Sequence, residues 1–185
     1  MGIAHDVVTA VGHALTNIRA GTDKLASRKL VPTLAPTLSI RSPIFKDGEP
    51  LPISCSVDGE GEAPPLSWDA VPEHTATLVL LCEDPDAPFP DPFLHWSIYA
   101  IPATARSIAT PLPECAIEGQ NSTLKTGFTP AAPPAGHGVH HYHFQLFALD
   151  TASTFEPGTG RGALLEHMRD HVIAWGELVG TYQRS

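Results

Sequence analysis

The stretch ATLVLLCEDPDAPFPDPFLHWSIYAI, Ala76 to Ile101, runs an unbroken apolar segment into an acidic, proline-rich loop and out into a second apolar segment. ATLVLLCE is a short continuous apolar run of the kind that makes a strand buried on both faces. LHWSIYAI reads as a second strand. Between them, Cys82 to Trp96 holds four prolines and four acidic residues and closes on His95 beside Trp96. Each proline fixes its own φ, removes an N–H donor and turns the residue before it away from helix. Asp84 and Asp86 are therefore held at a strand end with little freedom to lose on binding. Taken alone, the loop equally reads as a stiff turn whose Asp side chains cap local N–H groups. His95 taken alone reads as a packed core histidine.

A third strand is written in HHYHFQLFALD, His140 to Asp150. Its alternation separates His140, Tyr142, Phe144, Leu146 and Ala148 from His141, His143, Gln145 and Phe147. The first set is nearly all apolar, so it is expected to face inward and to carry His140 and Tyr142 with it. Two polar groups on a buried face need partners, and a pocket supplies them. The preceding APPAGHGV, Ala132 to Val139, is the kind of glycine- and proline-broken segment that brings backbone amides close to an anion. His141 and His143 share a strand face, yet no Glu follows them at metal-site spacing, and they lie opposite His140. No bound metal is expected, and His141 and His143 are expected to be solvent-facing. Ser97 lies two residues beyond His95 and is expected to point the same way, with nothing to activate it as a nucleophile. There is no Gly-x-Ser-x-Gly elbow, Walker A loop or GxGxxG turn.

The flanks are read as helical. Val7, Val11, Ala14, Leu15 and Ile18 follow helical spacing between a capping Asp6 and a terminating Gly21, and such a helix packs on the main fold or builds a homodimer. Leu164, Leu165, Met168, Val172, Trp175 and Val179 fall on one helical stripe that Gly180 would end. With strands in the middle and helices at the ends, the fold class expected is mostly β, antiparallel, with peripheral α-helices. Residues 1–37 are read as an N-terminal helix and linker, and residues 38–185 as the main domain. A net charge of -9 disfavours binding to nucleic acid or to an anionic membrane surface. No apolar run approaches the roughly 18 residues of a membrane span. Three dispersed cysteines fit reduced thiols, and a cytoplasmic location is expected.

Together, LVLLCEDPDAP, LHW and PPAGHGVHHYHFQLFALD resemble the phosphatidylethanolamine-binding protein family, in its bacterial, kinase-inhibitor-like branch. SPIFKDGEPLP, VDGEGEAPPLSW, GQNSTLKTGF and the closing ELVGTYQR are similar to it as well, so the resemblance runs from about Leu38 to the end. It implies a large antiparallel sheet packed on a second, smaller one, and a small pocket for phosphate-like or phosphorylethanolamine-like groups. Carried over by motif, Asp84, Asp86 and Pro88 come from the DPDAP segment, and His95 from the next strand start. Pro133, Pro134, His140 and Tyr142 come from the second motif. The resemblance implies no cofactor. It implies a small anion or phospholipid headgroup as ligand and regulation of a protein partner such as a kinase or protease. The same His and Asp groups would also suit a metal-assisted or acid–base hydrolase. Pro130-Ala131-Ala132 departs from the glycine-containing triplets usual before the paired prolines, which implies a stiffer loop and weaker phosphate binding. A histidine-lined anion site is expected to bind more tightly as pH falls through about 6.5.

Overall fold

The computed structural model describes residues 12–152 and 155–184. Two antiparallel sheets make the body. The smaller joins β1 (Ile40–Arg41), β2 (Leu66–Trp68) and β5 (Ser107–Ile108) in the order β1-β2-β5. The larger joins β3 (Thr77–Asp84), β4 (Phe93–Pro102), β6 (Ile117–Glu118), β7 (His140–Leu149) and β8 (Val172–Tyr182) in the order β6-β4-β3-β7-β8. β3 is the middle strand and is buried at every position, as its apolar run requires. Its even-numbered residues Leu78, Leu80 and Cys82 enter a core shared with Trp68, Phe144 and Leu146. Its odd-numbered residues Val79 and Leu81 enter a second core with Phe147, Trp175 and the helix α2 (Arg161–Met168).

One sequence expectation is corrected here. The apolar stripe Leu164–Val179 is not one helix. α2 stops at Met168, Asp170 adopts a left-handed φ of 64°, and Val172–Tyr182 is a strand. The β-branched and aromatic residues of this segment pair with β7 from end to end, which outweighs the helical spacing. Gly180 sits inside β8, where a Cβ would lie 2.4 Å from Leu51 Cδ2, so it makes room for a crossing loop and caps nothing.

The second face of β7 runs from solvent into the core. His141 is exposed and His143 half-buried, but Gln145 and Phe147 are fully buried. Helices cover this side, so the sheet is sandwiched along most of its length.

At the N-terminus, Asp6, Val7 and Val11 lie outside the described residues. Residues 12–15 are helical, and Ala14 and Ile18 are exposed. Backbone hydrogen bonds hold the segment that follows. Ala20 and Gly21 amides donate to the carbonyls of Ala87 and Pro85 at 3.1 and 3.0 Å. Gly21, at φ 97°, ends the segment as expected. The short helix α1 (Ala26–Leu30) then seats its open N-terminus on the sheet. The Ala26 amide donates to Glu83 Oε2 at 2.8 Å and the Ser27 amide to Gln145 Oε1 at 2.9 Å. Gln145 Nε2 also donates to Glu83, and Arg161 pairs with the other Glu83 oxygen. A fully buried carboxylate is tolerable only with such a complete set of donors.

Removing Glu83 leaves Arg161 and the α1 amides without an acceptor in a dry interior. Glu83→Ala is expected to lower unfolding free energy by about 3–5 kcal/mol, the cost of stripping one partner from a buried ion pair. Urea denaturation of the two proteins measures it, and a loss under about 1 kcal/mol would show the network to be solvated.

Candidate functional site

Asp84, the last residue of β3, continues the even-numbered face and so enters the core shared by the two sheets. Prolines at 85 and 88 turn the chain sharply there, and Asp84 Oδ1 accepts the amides of Asp86 and Ala87 at 2.8 and 3.2 Å. The turn-capping reading of this aspartate is therefore correct for one oxygen. The other, Oδ2, lies 2.7 Å from His140 Nδ1.

His95 reaches the same place through a bulge. Cys82 pairs with Trp96 and Glu83 with Leu94, so one step on β3 spans two on β4 and His95 is the extra residue. The bulge turns His95 toward Tyr142, edge-on at 5.0 Å between ring centres, and toward Phe93 at 4.7 Å. It also breaks the expected i, i+2 relation. Ser97 lies beside Gly119 and Tyr99 on the opposite face of the sheet, so His95 and Ser97 do not point the same way. The His95 Nδ1–H donates to the Thr129 carbonyl at 2.7 Å, and the Thr129 amide returns a bond to the His95 carbonyl at 2.8 Å. This leaves Nε2 with a lone pair, 4.0 Å from Asp84 Oδ2. Burial pushes the His95 imidazole below its usual value of 6.5, against the pull of nearby Asp84.

These groups line a cavity of about 210 Å³. Its wall includes Asp84, Pro88, His95, Pro133, Pro134, His140 and Tyr142, together with Phe89, Phe93, Thr129, Pro130 and Ala132. Seven of the eight residues expected at the site therefore meet; Asp86 does not. Its carboxylate turns outward to Arg19 and to the His141 amide and ring. Burial alone would raise the Asp86 carboxyl, but hydrogen bonds from His141 and Arg19 outweigh it and hold the group below the usual carboxylate range. The Tyr142 hydroxyl is buried at the cavity without a hydrogen-bond partner of good geometry. Burial, and then Asp84, push its acidity far down, so it remains a phenol able to donate. Among the described residues, neither Lys nor Arg lines the cavity.

His137 was not anticipated by the sequence reading. It is fully buried, with Nδ1 2.7 Å from His140 Nε2 and Nε2 2.7 Å from the Leu15 carbonyl. The flanking Gly136 and Gly138, at φ 79° and 104°, allow the turn that sends this ring inward. Those two glycines around a histidine, three residues before His140, were the available signal. The turn is not an open nest of amides, because Gly136 and His137 amides donate to the Arg184 and Pro134 carbonyls. Pro130-Ala131-Ala132 has no positive φ, so the alanines cost no backbone strain. Ala131 is locked by reciprocal bonds with Cys55 and Val57.

The sequence profile described as phosphatidylethanolamine-binding protein matches residues 41–183. The chain belongs to that family. A "UPF0098 protein" of Methanothermobacter thermautotrophicus is 37% identical over 153 residues, which are 80% of this chain and 99% of the relative. A phosphatidylethanolamine-binding protein homologue from Chlamydia trachomatis superposes with a TM-score of 0.75 at 34% identity, covering 82% of this chain and all of that one. E. coli YbcL, described as a member of the mammalian family, gives 0.74 at 32% identity over 80% of this chain and 99% of its own. A carboxypeptidase Y inhibitor solved with its cognate proteinase shares the fold at 0.50 and 17% identity. The family profile begins after the N-terminal arm. Among the described residues, no helix is long and apolar enough to cross a membrane.

His95 is expected to titrate below 6.5 and to carry its neutral proton on Nδ1, as side-chain ¹⁵N spectra will read directly. Since an unfolded histidine takes up its proton first, the stability that neutral His95 contributes is present above about 6.5 and declines as pH falls below it. A midpoint above 6.5 would contradict the buried geometry.

Proposed function

We propose that this chain is a non-enzymatic binding module whose cavity takes a small anionic group, of the phosphate or phosphorylethanolamine kind. The observation that carries this reading is a pair of polar groups without hydrogen-bond partners on adjoining rings of a largely apolar cavity: His95 Nε2 and the Tyr142 hydroxyl. Both become donors to a bound anion once His95 is protonated. The Asp84 carboxylate does not oppose this, because two amides and His140 occupy it. Three of its lone-pair sites are thereby filled, and the one left on Oδ2 is nearest His95 Nε2, at 4.0 Å, where it favours the protonated ring. The apolar rim of Pro88, Phe89 and Phe93 keeps water away and strengthens the remaining polar contacts.

The alternative of metal-assisted or acid–base hydrolysis draws less support. Both ring nitrogens of His137 and of His140, and Nδ1 of His95, are committed to hydrogen bonds, so the site histidines offer a ligand one free nitrogen. The hydroxyl that adjoins His95 is that of Tyr142, and burial holds it as a phenol and so makes it a poor nucleophile. A regulatory role toward a protein partner fits a fold shared with a proteinase inhibitor, and the target's chemistry is not written in the cavity.

Without Lys or Arg, the site draws its positive charge from proton uptake. Sulfate, whose own charge is constant across the range, is the cleanest probe. Its affinity is expected to rise by up to about tenfold per pH unit as pH falls below the ordinary histidine value of 6.5. Isothermal titration should give His95→Gln at least about tenfold weaker binding at pH 5.5, roughly 1.4 kcal/mol. Phosphorylethanolamine should compete. Absence of binding at millimolar sulfate or phosphate at pH 5.5 would sink the reading.

A further inference from the structure

The N-terminal arm touches the buried histidines themselves. Leu15 offers its carbonyl to His137 Nε2 at 2.7 Å; His137 Nδ1 meets His140 Nε2 at 2.7 Å; His140 Nδ1 meets Asp84 Oδ2 at 2.7 Å. Each of these contacts needs a proton between its heavy atoms. A carbonyl only accepts, so the first proton is on His137 Nε2. The second lies between the rings and the third between His140 and Asp84. Two neutral imidazoles carry one N–H each. The closed chain therefore holds one proton more than two neutral histidines and a carboxylate supply, and its net charge is zero. With the Leu15 carbonyl withdrawn, two contacts remain, two protons satisfy them, and the Asp84 charge is left uncompensated.

We propose that the arm is a proton-coupled strap: docking of residues 12–21 takes up one proton into the His137–His140–Asp84 chain, and loss of that proton releases the arm. The family match begins at residue 41, so the strap lies outside the segment that the profile covers. It lies over both loops that build the cavity. Ala20 and Gly21 bond the 85–87 turn, and Arg19 reaches Asp86 and the Val139 carbonyl. The other groups facing the chain do not supply the coupling. Asp86 is held ionised by His141 and Arg19, and Tyr142 stays a phenol; His95, whose Nε2 lies 4.0 Å from Asp84 Oδ2, does titrate beside the chain but bonds Thr129 and not the arm, and His95→Gln should leave the slope of arm opening in place. Arg184 pairs with Asp58. His141 bonds the far side of Asp86, so its contribution is tested separately. On the anion reading above, the docked state is the receptive one, because it removes a negative charge from the cavity wall; the coupling itself does not depend on that reading.

Amide hydrogen exchange in the full-length chain, without ligand, tests it. Opening constants for the Ala20 and Gly21 amides, corrected for intrinsic exchange and compared with the core amide of Phe144, are expected to rise by about tenfold per pH unit where the proton is released. His137→Gln keeps a donor for the Leu15 carbonyl but cannot titrate, and should flatten the slope; His141→Ala should leave it intact. A Cβ on Gly12 would lie 1.9 Å from the Ala135 carbonyl oxygen, so Gly12→Ala lifts the arm with His137 still present. In that variant the side-chain ¹⁵N signals of His137 and His140 should lose their imidazolium character at neutral pH. A pH-independent opening in the wild type, an unchanged slope in His137→Gln, or unchanged ¹⁵N signals in a Gly12→Ala chain whose arm amides exchange freely would each overturn the proposal.

Discussion

β3 is buried on both faces, yet its last two residues are Glu83 and Asp84. Strand geometry sends consecutive side chains to opposite sides, so two adjacent carboxylates must each be neutralised in a different dry environment. Glu83 finds Arg161, Gln145 and the amide of Ala26 on the helix side of the sheet. Asp84 finds His140 and two turn amides on the other. The first solution fixes α1 and α2 against the sheet. The second draws a histidine pair and the 84–88 turn into one place and leaves the cavity beside them. Scaffold and site are the two halves of one electrostatic constraint.

Much of this was legible from residue order. The apolar run through Leu81 identified the central strand, and the alternation from His140 to Ala148 assigned its inward face correctly. Asp84, His95, His140 and Tyr142 were placed at one site from motif and alternation. What failed did so for identifiable reasons. Leu164 to Val179 satisfies helical spacing, but a strand that can pair along its whole length with β7 overrides spacing. Gln145 alternates with the polar His141 and His143, so residue order alone does not mark it as buried. Its partners, Glu83 and the Ser27 amide, are 62 and 118 residues away in sequence. His137 was missed because its role depends on a carbonyl 122 residues distant, and carbonyl positions leave no trace in side-chain identity.

The absence of Lys and Arg from the cavity wall gives the site a particular character. A guanidinium carries fixed charge whatever the solution, whereas imidazoles acquire theirs from it. Phenol and imidazole are weak donors when neutral, so on the proposed anion-binding reading occupancy of such a cavity would follow the proton activity around it as much as the concentration of ligand. The buried position of His95 moves that response to lower pH than a free histidine would give.

β4 carries a second irregularity besides the one at His95. Leu78 pairs with Ile101 and Leu80 with Ile98, so one extra residue is accommodated near Ala100, which has a φ of 53°. Each bulge reverses which parity of residue points into which core. Leu94 and Tyr99 reach the helix side, while Trp96, Ile98 and Ile101 reach the side between the sheets. The two reversals cancel, like a frameshift and its suppressor in a reading frame. Only the short segment between them is out of phase, and its upstream end is where the cavity histidine stands. A strand so arranged can present a polar residue to a pocket while both of its ends remain in step with neighbours that know nothing of the site.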